Sequence, residues 1–186
     1  MRAKRQALSA EEQDHASAKL SQQLLRLSGL LSARRIGAYV ANDGEMDPLP
    51  AIESLVLKKI EAYLPVLFGS RRPRVRFARY YPAEPMTPGR FGIPTPFHDK
   101  RDLRDPMELD WLLMPLVAFD DRGNRLGMGG GFYDASLASR ANRRFWRRPR
   151  LIGIAHEFQR VDNLTLDSWD IPLDGILTDQ KFREFV

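Results

Sequence analysis

Trp111-Leu112-Leu113-Met114-Pro115-Leu116-Val117-Ala118-Phe119 is apolar without alternation, and Asp120-Asp121-Arg122-Gly123-Asn124 and the glycine run Gly127 to Gly131 follow it closely. An unalternating apolar run of this length reads as a strand covered on both faces, which belongs at the centre of a parallel sheet. The Asp-Asp-Arg-Gly-Asn stretch is turn chemistry, and Phe132 to Arg140 is compatible with a helix after the glycines. The unit is therefore strand, turn, glycine loop, helix.

Working outward, Ser9-Ala10-Glu11-Glu12 fits a capping box, and Ala16, Leu20, Leu24 and Leu27 continue it as one apolar stripe, with Gly29 as the stop. Ile36-Gly37-Ala38-Tyr39-Val40 reads as a buried strand. Asp47-Pro48 supplies an N-cap and a first-turn proline to a helix carrying Ile52, Leu55, Val56 and Ile60. Ala62 to Leu67 and Val75 to Tyr80 read as further strands. Leu151 to Ala155 and Gly175 to Thr178 complete the strand set. Five prolines with Gly89 and Gly92 between Pro82 and Pro96 disfavour a helix or central strand and predict an extended binding loop. Strands alternating with helices predict an α/β fold with a mainly parallel sheet and helices on both faces.

The chain has 186 residues, which bounds it to about one domain, and we expect residues 1–186 to form it. Hydrophobic residues at 43% exclude general disorder, and no uncharged run is long enough to cross a bilayer. With no cysteine, a disulfide framework, a thiolate nucleophile and a sulfur-based metal site are all excluded. The basic Met1-Arg2-Ala3-Lys4-Arg5 leads into Leu8-Ser9-Ala10-Glu11-Glu12 rather than an apolar segment, so no secretory signal is readable and a cytoplasmic address is expected. A net charge of +5 points to anionic partners without choosing among nucleic acid, nucleotide and polycarboxylate.

Local chemistry narrows that choice. Gly127-Met128-Gly129-Gly130-Gly131 leaves main-chain amides bare and lets a ligand approach the backbone closely, the requirement for a phosphate cradle. It is not the dinucleotide fingerprint, since Phe132 falls where the third glycine is needed, and no Gly-Lys-Ser/Thr makes it a P-loop. Arg125 and Asp134 flank it with a cation suited to phosphate and a carboxylate suited to Mg²⁺.

The whole stretch Phe119-Asp120-x-x-Gly123-Asn124-Arg125-Leu126-Gly127-x-Gly129-Gly130-Gly131-Phe132-Tyr133-Asp134 resembles the signature of the 5-formyltetrahydrofolate cyclo-ligase family, also called methenyltetrahydrofolate synthetases. The resemblance extends in order through Arg5-x-x-Leu8-Ser9, Gly44-Glu45-Met46-Asp47, Phe91-Gly92-Ile93-Pro94-x-Pro96, Ile152-Gly153-Ile154-Ala155-x-x-x-Gln159 and Trp169-Asp170-Ile171-Pro172 to Thr178. It implies a three-layer α/β/α architecture like that of sugar-phosphate isomerases and coenzyme A transferases. It further implies an ATP- and Mg²⁺-dependent cyclisation of 5-formyltetrahydrofolate to 5,10-methenyltetrahydrofolate, releasing ADP and phosphate. By position, Arg125, Leu126, Gly127, Met128, Gly129, Gly130, Gly131, Phe132 and Tyr133 would hold ATP, with Arg125 and Tyr133 at the reacting groups. Glu45 and the segment Met128 to Tyr133 would hold the folate, and Asp134 and Asp170 would hold Mg²⁺. The substrate is then a small molecule, a monomer is expected, and neither nucleic acid nor membrane is an expected partner.

The chain departs from the family pattern at Met128 and Ala135, where arginine is frequent, at Phe132, where tyrosine is frequent, and at Thr95, where glutamate is frequent. A basic Lys-x-x-x-Arg element of the family falls ahead of Met1 when Leu8-Ser9 is aligned, leaving Arg2, Lys4 and Arg5 as the nearest cations. Two other readings stay open at this level. Arg140, Arg143, Arg144, Arg147, Arg148 and Arg150, with Phe145 and Trp146, could bind single-stranded nucleic acid by charge and stacking. The expected architecture alone would also suit a sugar-phosphate isomerase.

Overall fold

A computed structural model describes the chain except residues 70, 143–147, 166 and 186. Its helices are α1 (Arg2–Gln6), α2 (Ala10–Leu24), α3 (Leu49–Leu57) and α4 (Phe132–Leu137). The main strands are β1 (Arg35–Gly37), β2 (Glu61–Phe68), β3 (Arg74–Tyr80), β6 (Trp111–Pro115), β9 (Arg150–Ala155), β10 (Gly175–Thr178) and β11 (Phe182–Glu184). They form a sheet of seven strands in the order β11-β10-β9-β6-β1-β2-β3, with β6 in the middle as its composition demands. The pairs β2–β1, β1–β6, β6–β9 and β9–β10 are parallel, and the two edge strands are antiparallel. Two short hairpins lie outside this sheet: β4 (Met86–Thr87) with β5 (Thr95–Pro96), and β7 (Ala118–Phe119) with β8 (Arg125–Leu126).

Side-chain alternation divides the core into two halves. Leu113, Ile152, Ile154 and Leu177 face Leu20 and Leu24 of α2 and Ile52 and Leu55 of α3. Leu112, Met114, Leu151 and Ile176 face the other way, against Leu137 of α4 and the irregular segments that carry Leu109, Ile171 and Leu173. The α/β class and mainly parallel sheet therefore stand, with the second face closed by one short helix and loops. Among the described residues no helix is long and apolar enough to cross a membrane.

The capping box forms as expected: Ser9 Oγ accepts from the Glu12 amide at 3.2 Å, and Glu12 accepts from the Ser9 amide at 2.7 Å. Pro48, not Asp47, takes the N-cap position of α3, and Asp47 accepts from the Leu49 amide at 3.0 Å in the turn ahead of it. Six expectations need correction. The strand expected over Ile36 to Val40 ends at Gly37, and α3 ends at Leu57, which leaves Ile60 beyond it. Helix α2 ends at Leu24 rather than at Gly29, whose positive φ of 81° instead opens a 3₁₀ turn over Leu30–Ser32. The apolar run from Trp111 divides after Pro115, because the Val117 amide turns away to bond the Leu126 carbonyl at 2.7 Å and starts the β7–β8 hairpin. The helix expected to Arg140 tightens into a 3₁₀ turn after Leu137. Finally, Gly175–Thr178 is not the last strand: β11 lacks an apolar signature and is fixed by its ladder with β10 and by Arg183–Glu157 and Arg150–Glu184 ion pairs.

Candidate functional site

Parallel strands deliver their following loops to one edge of a sheet, and in open α/β folds that edge is where ligands bind. Here β1 runs into the segment containing Glu45, β6 into the β7–β8 hairpin and glycine loop, and β9 into His156 and Gln159. Topology alone thus gathers at one edge residues that are scattered along the chain.

The glycine loop is open. Residues Leu126 to Gly131 are exposed, and nothing lies within 4 Å of where a Cβ would stand on Gly127 or Gly129. Packing therefore does not demand glycine at those two positions, although Gly129 and Gly131 take positive φ values of 79° and 62°. Among the described residues no protein acceptor meets the amides of Gly127 to Gly131, which lie in an exposed stretch. Helix α4 has only six residues, so an anion held here would meet loop amides rather than a long helix dipole.

Arg125 and Asp134 close this loop. Arg125 Nη2 lies 2.5 Å from Asp134 Oδ1, and Arg125 Nη1 donates to the Ile171 carbonyl. Asp134 Oδ1 also accepts from the Ile171 amide at 3.2 Å. The guanidinium expected at phosphate and the carboxylate expected at Mg²⁺ are therefore partners. Asp170, adjacent to Ile171, is half-buried and accepts from the Asp167 amide at 2.9 Å, closing a turn. Asp134 thus bonds the residue next to Asp170 in the chain. Among the described residues no cluster of three or more His, Asp or Glu side chains is placed to hold a metal. Asp134 and Asp170 still have the donor chemistry of Mg²⁺, which takes one or two carboxylates and completes its octahedron with phosphate oxygens and water.

Phe132 and Tyr133 point to different neighbours. Phe132 meets Phe91 edge-to-face at 6.2 Å between centroids, and the Arg90 guanidinium sits 5.3 Å from the Phe132 ring. The proline-rich excursion thus reaches the glycine loop, and Thr95 is buried within its hairpin. Tyr133 packs against the core half that holds Leu112 and Leu137: burial raises its hydroxyl pKa first, and the charge of the Glu45 carboxylate raises it further. Burial likewise raises Glu45, which accepts from the Asn42 amide at 3.2 Å and lies 3.9 Å from Arg5 Nη1. Glu45 also lines a cleft of about 410 Å³ bounded by Gln13, Ser17 and Asp47.

Beneath these residues lies a polar cluster that the sequence reading did not assign a role. Arg5 is 1% exposed, and its Nη1 donates to the Leu116 carbonyl at 3.1 Å. Buried Gln159 donates to the same carbonyl at 2.8 Å and to that of Val117 at 3.0 Å. His156 is buried against Phe158, with ring centroids 5.1 Å apart, and burial lowers its pKa. Arg5 and Gln159 stand in motifs quoted above, but no local signal marks an arginine in a short exposed-looking helix as buried.

The arginine-rich segment reads differently in three dimensions. Residues 143–147 lie outside the described residues. Of the others, Arg140 is paired with Asp174, Arg148 with Asp110 at 2.6 Å, and Arg150 with Glu184 while stacking 4.7 Å from the Trp111 ring. These three guanidinium groups are engaged within the protein.

Comparison with known proteins agrees with the geometry. A sequence model described as the 5-formyltetrahydrofolate cyclo-ligase family matches residues 1–179. The chain is 40% identical over 170 residues to the 5-formyltetrahydrofolate cyclo-ligase of Haemophilus influenzae, covering 91% of this chain and 89% of that protein. It is 35% identical over 187 residues to the Escherichia coli K12 protein of the same name, covering all of both chains. Its fold is similar to the NMR structure of Aquifex aeolicus 5,10-methenyltetrahydrofolate synthetase, with TM-score 0.80, 33% identity and coverage of 98% of this chain and 88% of that one. The 5,10-methenyltetrahydrofolate synthetase of Mycoplasma pneumoniae is similar at TM-score 0.72 and 28% identity, covering 96% and 94% of the two chains. Ordered motifs from Arg5 to Thr178 and a shared fold across nearly the whole length leave one assignment: this chain belongs to the 5-formyltetrahydrofolate cyclo-ligase family.

Proposed function

We propose that this chain, working as one monomeric cytoplasmic domain, closes 5-formyltetrahydrofolate to 5,10-methenyltetrahydrofolate with ATP and Mg²⁺. The observation that carries the reading is an open glycine loop running into half-buried Tyr133, on the same edge of the sheet as half-buried Glu45. A formamide oxygen is a poor leaving group. Transfer of the γ-phosphoryl group from ATP to that oxygen releases ADP and gives an iminium phosphate. The N10 lone pair then bonds to the formyl carbon, the C–O bond breaks to release phosphate, and N10 loses its proton.

In this reading the amides of Gly127 to Gly131 with Arg125 hold the phosphates in place, so that formyl oxygen and phosphorus are neighbours rather than a bimolecular encounter. Glu45 accepts from the folate, and Tyr133 offers a protonated hydroxyl beside it. Mg²⁺, held by Asp134 and Asp170, would neutralise charge on the transferring group. No protein nucleophile is required. The test is the absorbance of methenyltetrahydrofolate formed from 5-formyltetrahydrofolate, ATP and Mg²⁺, with chelator as control. Product only with all three supports the reading; no product at high enzyme concentration overturns it.

A further inference from the structure

Helix α1 is bound to the segment after β1 by side chains rather than by apolar packing. Asp43 accepts from Arg2 at 2.6 Å, from Arg5 Nη2 at 3.1 Å and from Gln6. Gln13 of α2 donates to the carbonyls of Arg5 and Gly44 at 3.2 and 3.3 Å. The backbones come so close that a Cβ on Gly44 would lie 2.7 Å from the Arg5 carbonyl carbon. Arg5 itself is fully buried, with Nε unpartnered, which is an expensive place for a guanidinium that served only to anchor a surface helix.

Its contacts are unequal in what depends on them. The Leu116 carbonyl keeps Gln159 if Arg5 is removed, and the β7–β8 hairpin keeps its Val117–Leu126 bond. Glu45 would keep only the Asn42 amide: among the described residues Arg5, at 3.9 Å, is the only cation paired with it. A lysine at position 5 would supply a point charge but not the planar fork that serves Leu116 and Asp43 at once.

We propose that Arg5 is a positioning residue, whose buried guanidinium holds the Asp43–Glu45 segment so that the Glu45 carboxylate meets the folate. The inference rests on the folate role given to Glu45 above. It separates the two substrates, because Arg125, Asp134 and Ile171 fix the ends of the glycine loop without Arg5.

Steady-state kinetics of Arg5→Gln, Arg5→Lys, Glu45→Gln and the double variant Arg5→Gln/Glu45→Gln test it. Arg5→Gln is expected to raise KM for 5-formyltetrahydrofolate about tenfold with KM for ATP within about twofold, and Arg5→Lys to fall between it and wild type. In the double variant the two effects should overlap instead of multiplying, since one acts through the other. Should Arg5→Gln not fold, Arg5→Lys decides on the same folate-to-ATP contrast. Equal rises in both KM values, a wild-type folate KM in Arg5→Lys, or multiplicative effects in the double variant would each overturn the proposal. A wild-type protein that makes no product defeats the cyclo-ligase reading first; active wild type with indifferent Arg5 variants defeats this inference alone.

Discussion

Arg125 and Asp134, nine residues apart, are joined at 2.5 Å across the mouth of the glycine loop, and both are tied to the backbone of Ile171. The loop between them is free to present its amides because its ends are fixed. The Arg125 side chain is 6% exposed and that of Asp134 is 23% exposed, so the pair is largely sheltered from screening. A ligand arriving at this site meets charges already held in place, which avoids ordering two long side chains on binding.

Arg125→Ala should therefore act on both stability and nucleotide affinity. Removing the guanidinium leaves Asp134 with only the Ile171 amide, at a cost of about 2–3 kcal/mol. The apparent KM for ATP should rise in the folded variant. Thermal unfolding and ATP titration of initial rates check the two effects; an unchanged KM would assign Arg125 to structure alone.

Asp134→Asn keeps the shape and the Ile171 contact, so its stability loss should stay near 1 kcal/mol. Turnover should fall much further, by about a hundredfold if a metal ligand is lost. Equal turnover and equal Mg²⁺ dependence in the two forms would remove Asp134 from the metal site.

Gly127→Ala separates ligand approach from folding. The added methyl meets nothing within 4 Å and φ is ordinary, so stability should change by less than about 0.5 kcal/mol. Calorimetric affinity for ATP should nonetheless fall if, as proposed, phosphate comes close to the backbone where the methyl would stand. Unaltered affinity would mean that phosphate does not pass over Gly127.

Glu45 predicts a pH signature. Burial lifts its carboxyl above the ordinary value of 4.5, so the carboxylate proposed to accept from folate forms only above that value. Folate affinity should fall on the acid side with a midpoint higher than an exposed glutamate shows, and Glu45→Gln should remove that limb. The linkage sign is the reverse of a salt-bridged acid: with the folded pKa raised, ionisation opposes folding, and the penalty grows as pH rises from the unfolded to the folded value. Glu45→Gln should then be the more stable protein at neutral pH by thermal melt.

Asp120 is a structural acid with the opposite sign. It is fully buried and accepts from the amides of Arg122, Asn124 and Leu164 and from the Asn124 side chain, at 2.8–3.1 Å. Burial alone would raise its pKa, but these hydrogen bonds outweigh it and hold the carboxyl below the ordinary 3.8. Its contribution is present above the unfolded pKa and is lost as pH falls through the folded one. Asp120→Asn turns an acceptor into a donor facing donors, and should cost about 2–4 kcal/mol while flattening that acid dependence, measured by urea unfolding at several pH values.

Much of the molecule was legible locally. The capping box at Ser9, the central position of β6 and the openness of Gly127 to Gly131 follow from patterns a few residues long. Strand β11 and helix α1 were not legible, since Phe182-Arg183-Glu184 and Arg2 to Gln6 carry no apolar period and are set by partners elsewhere in the chain. The division of the Trp111 run was also hidden, because the pairing of Val117 with Leu126 is a contact, not a propensity.

Periodicity, turn residues and ordered motifs in the sequence determined the fold class, the family and the residues able to do chemistry. Tertiary structure alone decided which of their charges are paired and which stay free: Arg125 with Asp134, Arg5 beneath Glu45, Tyr133 under the charge of that same carboxylate. The reason is physical. Local patterns depend on backbone geometry over one or two turns, whereas the charge state of a side chain depends on burial and on neighbours that only the closed sheet brings within a few ångströms.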